Sequence, residues 1–137
     1  MTSGRLSFAL NMTKRFLTLT AIIEAATGLA LIAVPAIVVR LLLGAEISGA
    51  SIPLGRVAGA ALLSLGVACW LALNDRQSRT ARGLVVAMLV YNIVATAVLA
   101  FAGIGLGLHG VALWPAVVLH AVMAIWCIVC LRRSPKM

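Results

Sequence analysis

Four stretches of about twenty residues each are almost wholly apolar, and short polar segments separate them. This pattern leaves few folds open. A bilayer core of ~30 Å is crossed by about 20 helical residues. In lipid every backbone N–H and C=O must be paired within its own segment, so each stretch has to be helical. The spans predicted are 16–38, 53–73, 83–103 and 113–131. Composition excludes the alternatives. Of the 137 residues 64% are hydrophobic and 10% charged, whereas a soluble domain is about a quarter charged. Disordered chains are polar and highly charged, and the apolar runs do not alternate as membrane β-strands would. The expectation is an all-α, four-helix transmembrane bundle, up-down-up-down, forming a single integral membrane domain over 1–137.

Proline and glycine mark the edges. Pro53 and Pro115 suit first helical turns. Pro35 should end or kink the first span. Residues 36–43 then read as a short interfacial segment, with Arg40 reaching for headgroups, and 44–53 as a loop. The N-terminal third has the charged and apolar regions of a signal peptide, but its apolar run is long and carries Glu24, so it reads as a span that is kept.

The basic residues predict orientation. Nine of the eleven Lys and Arg residues fall on one side of an even-numbered bundle: Arg5, Lys14, Arg15, Arg76, Arg79, Arg82, Arg132, Arg133 and Lys136. Arg40 and Arg56 lie on the other side. The positive-inside rule places both termini and the 74–82 loop in the cytoplasm, the membrane being the cell's inner membrane. The net charge of +8 is thereby accounted for by topology and contact with anionic membrane lipids. Its three short clusters lack the aromatic interleaving of a nucleic-acid surface, so no nucleic-acid partner is expected. Trp114 at one end, and Trp70 and Trp126 toward the other, form an interfacial belt.

Polar groups at mid-membrane are costly and are candidate functional residues by default. Counted along the spans, Glu24, Asn92, Ser64 and His120 all fall within roughly 5 Å of the bilayer centre, one on each helix. Thr20, Glu24, Thr27 and Gly28 share one helical stripe. Met88, Asn92 and Thr96 share another, and Ala116, His120, Ala124 and Cys127 a third. Such stripes should face one interior. The plain alternative is that Ser and Thr bond their own backbone. Glu24 carries the largest cost, ~2.5–3.5 kcal/mol for a charged side chain at a helix centre. A hydrogen bond to His120 or Asn92 would fix helix register, whereas a proton-linked or ligand-binding role would use the same residues. Arg56, a further ligand- or proton-binding candidate, lies about 15 Å away in depth, too far for direct pairing with Glu24 unless the helices shift. Gly28 would let a neighbouring helix approach, and Gly55-x-x-x-Gly59 is a small-residue packing motif that could close the bundle or join a homo-oligomer.

Chemistry-bearing motifs are sparse. His120 has the depth of a haem ligand, but the chain has no second intramembrane histidine and no Cys-x-x-Cys-His motif. Cys127-x-x-Cys130 has a redox spacing. It lies at the basic end of the last span without the outer-loop thiols a quinone–thiol oxidoreductase needs, so these cysteines read as small apolar side chains. Zinc motifs, phosphate loops and nucleophile triads are absent. No cofactor or metal is expected, and an enzyme is the less favoured class.

Two resemblances add to this reading. Ala21-Ile22-Ile23-Glu24-Ala25 in a four-span chain of this size resembles the small multidrug resistance transporters. In those proteins a first-helix glutamate serves proton-coupled export of cationic drugs. The strong basic bias of the present chain departs from that family's dual-topology members. More extensively, the chain resembles small four-span bacterial membrane proteins of the DoxX type. The likeness rests on Glu24-Ala-Ala-Thr-Gly28 followed by Pro35, on Leu41-Leu-Leu-Gly44, on Gly55-Arg56-Val57-Ala58-Gly59 running on to Ser64-Leu65-Gly66, on Tyr91-Asn92, and on Trp114-Pro115 with His120. That resemblance implies a bundle and no particular reaction. Three functions stay open. The first is an accessory or structural membrane subunit, alone or within a larger membrane complex. The second is proton-linked transport or lipophilic-ligand binding through the midplane polar groups. The third is a membrane redox protein.

Overall fold

The computed structural model describes residues 3–74 and 78–133 and is all-α, with five helices among the described residues. They are α1 (Ser3–Ala33), α2 (Pro35–Leu43), α3 (Ser51–Leu71), α4 (Arg79–Ile104) and α5 (Leu113–Arg133), with a 3-10 turn at Ala72–Asn74. Four segments are long and apolar enough to cross a membrane: Leu10–Ala33, Ser51–Asn74, Arg79–Ile104 and Leu113–Arg133. Asp75, Arg76 and Lys136 lie outside the described residues.

The boundaries follow local chemistry. Val34 leaves the helical region (φ −135°, ψ 58°), and Pro35 opens α2 at a position where its missing N–H costs nothing. The predicted first span, 16–38, is therefore cut at 33, and α2 is a separate short helix. Gly44 ends α2 in the left-handed conformation (φ 69°), with its N–H bonded to the Arg40 carbonyl. α1 also begins well before the predicted span, so 3–15 continue the same helix rather than lying apart. α4 starts four residues ahead of expectation. The Ser78 hydroxyl caps it by accepting the Ala81 N–H at 3.0 Å, which puts Arg79 and Arg82 in its first turns rather than in a loop.

The helices pair unequally. α1 packs chiefly on α3, and α4 on α5. The α1–α3 contact is backbone against backbone. A Cβ added to Gly28 would lie 2.6 Å from the Gly59 carbonyl oxygen, one on Gly59 2.6 Å from that of Gly28, and one on Gly66 2.9 Å from the Ala25 nitrogen. Without a hydrophobic force between helices in lipid, such close approach is what gives dispersion contacts their strength. Gly59 thus fulfils its predicted packing role, but its partner along α3 is Gly66, seven residues on. Gly55 sits elsewhere, against the Cβ of Pro35, because four residues from Gly59 carry it past the end of α1.

All four long helices share a core only in the half of the bundle that carries the basic ends. There Phe16, Leu17 and Ala21 of α1 meet Cys69 of α3, Val85 and Met88 of α4, and Met123, Cys127 and Cys130 of α5. The three cysteines are buried and form no disulfide, and they help to fill this core. Toward the opposite end burial is pairwise. Gly28 faces Gly59, and Gly103 packs on Leu113 and Trp114. That end is joined by backbone: the Ala112 N–H donates to the Leu41 carbonyl at 2.9 Å, tying the α4–α5 loop to α2.

Candidate functional site

A polar group of four side chains caps the apolar core near mid-membrane, and it draws on both helix pairs. Glu24 from α1 is 4% exposed and Asn92 from α4 is 2% exposed. Tyr91, next to Asn92, lies across the seam close to the Glu24 carboxyl. On the other side, the Asn92 side-chain amide donates to its own helix, at the Met88 carbonyl, at 2.7 Å. That leaves Asn92 Oδ1 as the acceptor 2.9 Å from His120 Nδ1. Nδ1 therefore carries the hydrogen, and Nε2 of the neutral ring is an acceptor. The Tyr91 and His120 rings meet edge to face, 5.5 Å between centroids at 83°, and close the chain of contacts.

Glu24, Asn92 and His120 are thus brought together, but not in the pairing expected from depth alone. His120 and Asn92 bond each other, and the side chain close to Glu24 from across the seam is Tyr91. Tyr91 was the residue missed. It is the only tyrosine in the chain, one position from Asn92 and level with Glu24. A mid-membrane phenol needs a hydrogen-bond partner as much as an amide does.

Two predicted residues fall outside the site. Ser64 is exposed on α3, and its hydroxyl donates to the Ala60 carbonyl four residues back at 2.9 Å. The helix backbone has satisfied it, so nothing draws it inward. Arg56 is exposed near the start of α3, away from the cluster. Its guanidinium can reach headgroups there without crossing apolar core. Thr27, assigned to the Glu24 stripe, is exposed as well. Thr96 bonds the Asn92 carbonyl at 2.7 Å, one turn back on its own helix.

Thr20 stays with Glu24. It lies one turn nearer the basic end on the same face, 1% exposed, and its hydroxyl oxygen has no hydrogen-bond partner. A buried polar atom left unpaired costs ~1–3 kcal/mol. The site thus combines one carboxyl, one phenol, one imidazole with a free acceptor nitrogen and one unbonded hydroxyl. Among the described residues no group of three His, Cys, Asp or Glu side chains is placed to hold a metal ion. His109 is exposed in the α4–α5 loop, remote in sequence and depth from His120.

Comparison of the chain with known protein families, with characterised proteins and with solved structures gives no match.

Proposed function

We propose that this multi-pass membrane protein binds a proton and a small lipophilic ligand in exchange at Glu24, with Tyr91, His120 and Asn92 as the surrounding hydrogen-bond groups. The observation that carries this reading is the position of Glu24. It is the only acid within the spans and is buried at the seam between the two helix pairs, where the four-way core ends. The Tyr91 phenol lies close to it across that seam. A change in the charge of Glu24 alters the cost of keeping the seam dry. The unbonded Thr20 hydroxyl and the free His120 Nε2 are available to an incoming polar group. The likeness of 21–25 to the first helix of small multidrug resistance transporters supports the same chemistry. The positive-inside distribution supports an inner-membrane protein with both termini cytoplasmic.

Glu24→Gln tests the reading, because the side chain keeps its size and an acceptor oxygen while the titrating proton is gone. In weakly buffered nanodiscs, the wild type should bind one more proton than Glu24→Gln over the full titration from alkaline to acid pH. Tetraphenylphosphonium, a lipophilic cation, should displace that proton from the wild type alone. Identical titrations and identical cation binding would remove Glu24 from any mechanism.

A second reading, an accessory subunit of a membrane complex, is favoured by α3. Its main neighbour is α1, and Leu54, Val57, Val67, Trp70 and Leu71 stand exposed on it. Native mass spectrometry from membranes separates the two readings. A stoichiometric protein partner supports the second, and phospholipid alone as the bound species removes it.

A further inference from the structure

A groove of about 610 Å³ runs along α1 beside Trp126 of α5, at the end of the bundle that carries the basic residues. Its lining changes character along α1. Asn11, Lys14 and Arg15 come first at the basic end, Thr18 follows one turn on, and Leu19 and Ile22 lie furthest along the helix. From Asn11 to Ile22 the helix rises about 16 Å. This is the order and the scale of a phospholipid: charged phosphate, ester-level polar groups, then acyl chain.

Three further observations fit such an occupant. The basic end holds two cations, and among the described residues no carboxylate lines the groove; Glu24, the nearest acid along α1, is buried on the inward face. Trp126 is held in place by an edge-to-face contact with Phe16, 6.0 Å between ring centroids, so the groove wall is fixed. The last turn of α5 adds Arg132 and Arg133 at the same end. The cationic field therefore extends past the groove without an opposing charge from these helices.

We propose that this groove is a binding site for one anionic glycerophospholipid of the adjacent leaflet, with its phosphate between Lys14 and Arg15 and one acyl chain along Leu19 and Ile22 against Trp126. This site is separate from Glu24 and does not rest on the proton-exchange reading. Lys14 and Arg15 are then more than topology signals. A basic residue that only orients the chain needs no concave apolar floor beneath it.

The test uses the full chain with Trp70 and Trp114 replaced by phenylalanine, leaving Trp126 as the sole reporter. It is reconstituted in phosphatidylcholine vesicles containing a small fraction of dibrominated phosphatidylglycerol or, in parallel, dibrominated phosphatidylcholine. Bromine quenches only at contact. The brominated anionic lipid should quench Trp126 more strongly than the zwitterionic one at equal mole fraction. Its relative affinity should fall about fivefold in Lys14→Gln or Arg15→Gln and ~30-fold in the double variant. Arg79→Gln/Arg82→Gln removes two cations at the same membrane face but outside the groove and should leave the preference within about twofold. Equal quenching by the two lipids, or an equal loss in both double variants, would overturn the site in favour of diffuse surface attraction. A water-soluble glycerophosphate should not compete; full competition by it would mean a phosphate site rather than a lipid site.

Discussion

The two seams of this bundle are built on opposite principles. Between α1 and α3, glycines let backbone touch backbone, and nothing charged is involved. Between the α1–α3 pair and the α4–α5 pair, the polar approach at mid-membrane is that of Glu24 and Tyr91, with Asn92 and His120 bonded to each other just behind it within the α4–α5 pair. The first seam has one good geometry, because any added atom collides with main chain. The second depends on a charge and on hydrogen bonds that can be exchanged. Rigidity and responsiveness are thereby assigned to different surfaces of the same helix, α1.

The largest effect should come from breaking the rigid seam. Gly59→Leu would place a branched side chain where a Cβ alone lies 2.6 Å from the Gly28 carbonyl oxygen. It should prevent α1 and α3 from pairing and leave no cooperative unfolding transition in detergent. Gly59→Ala should cost about 3 kcal/mol by overpacking. Gly55→Ala meets only the Pro35 side chain, at 3.0 Å, and should cost about 1 kcal/mol or less. Unfolding titrations with a denaturing detergent would rank the three, and equal costs for the two alanine variants would show that the glycine seam is not as described.

Much of this architecture was legible in the sequence, because the membrane imposes it. Spans follow from length and hydropathy, and the break at Pro35 from a missing N–H. The candidate site was legible in part. Burial of Glu24 and Asn92, and the half-buried place of His120 beside them, follow from helical periodicity and the cost of polar groups in lipid. What periodicity does not encode is which helix sits beside which, or the rotation of each about its axis. That is why Glu24 was matched by depth to His120, whereas the neighbour across the seam is Tyr91. Ser64 shows the same limit from the other side. A hydroxyl can be satisfied by its own helix, and a count along the span does not reveal its face.

The polar seam should respond less than the glycine seam to any one change. Intramembrane hydrogen bonds contribute about 0.6 kcal/mol on average and rarely more than ~1.7. Asn92→Ala and His120→Ala should each cost about 1–2 kcal/mol. Their double variant should cost less than the sum, by a coupling of about 1 kcal/mol. Glu24→Ala and Tyr91→Phe should be coupled in the same way. No coupling should appear across the two pairs Glu24–Asn92 and Glu24–His120, which share no direct hydrogen bond. Coupling of Glu24 with His120 as large as that with Tyr91 would restore the pairing expected from depth and displace the one described.

The smallest effects belong to polar groups outside both seams. Ser64→Ala removes a hydroxyl that bonds only its own backbone and should change stability by less than about 0.5 kcal/mol. Arg40 and Glu46 approach at 3.8 Å with side chains 73% and 84% exposed. A pair so placed is held by little and screened by water and salt, so Arg40→Gln should leave the unfolding midpoint unmoved at any ionic strength. The α2–loop junction beside it rests instead on the Ala112 N–H bonded to the Leu41 carbonyl and on Gly110 lying against the backbone of Leu41 and Leu42. Gly110→Val should therefore loosen that end where Arg40→Gln does not. Faster amide exchange at Ala112 and Leu113 in the valine variant, with none in Arg40→Gln, would place the restraint in the backbone. The reverse pattern would place it in the ion pair.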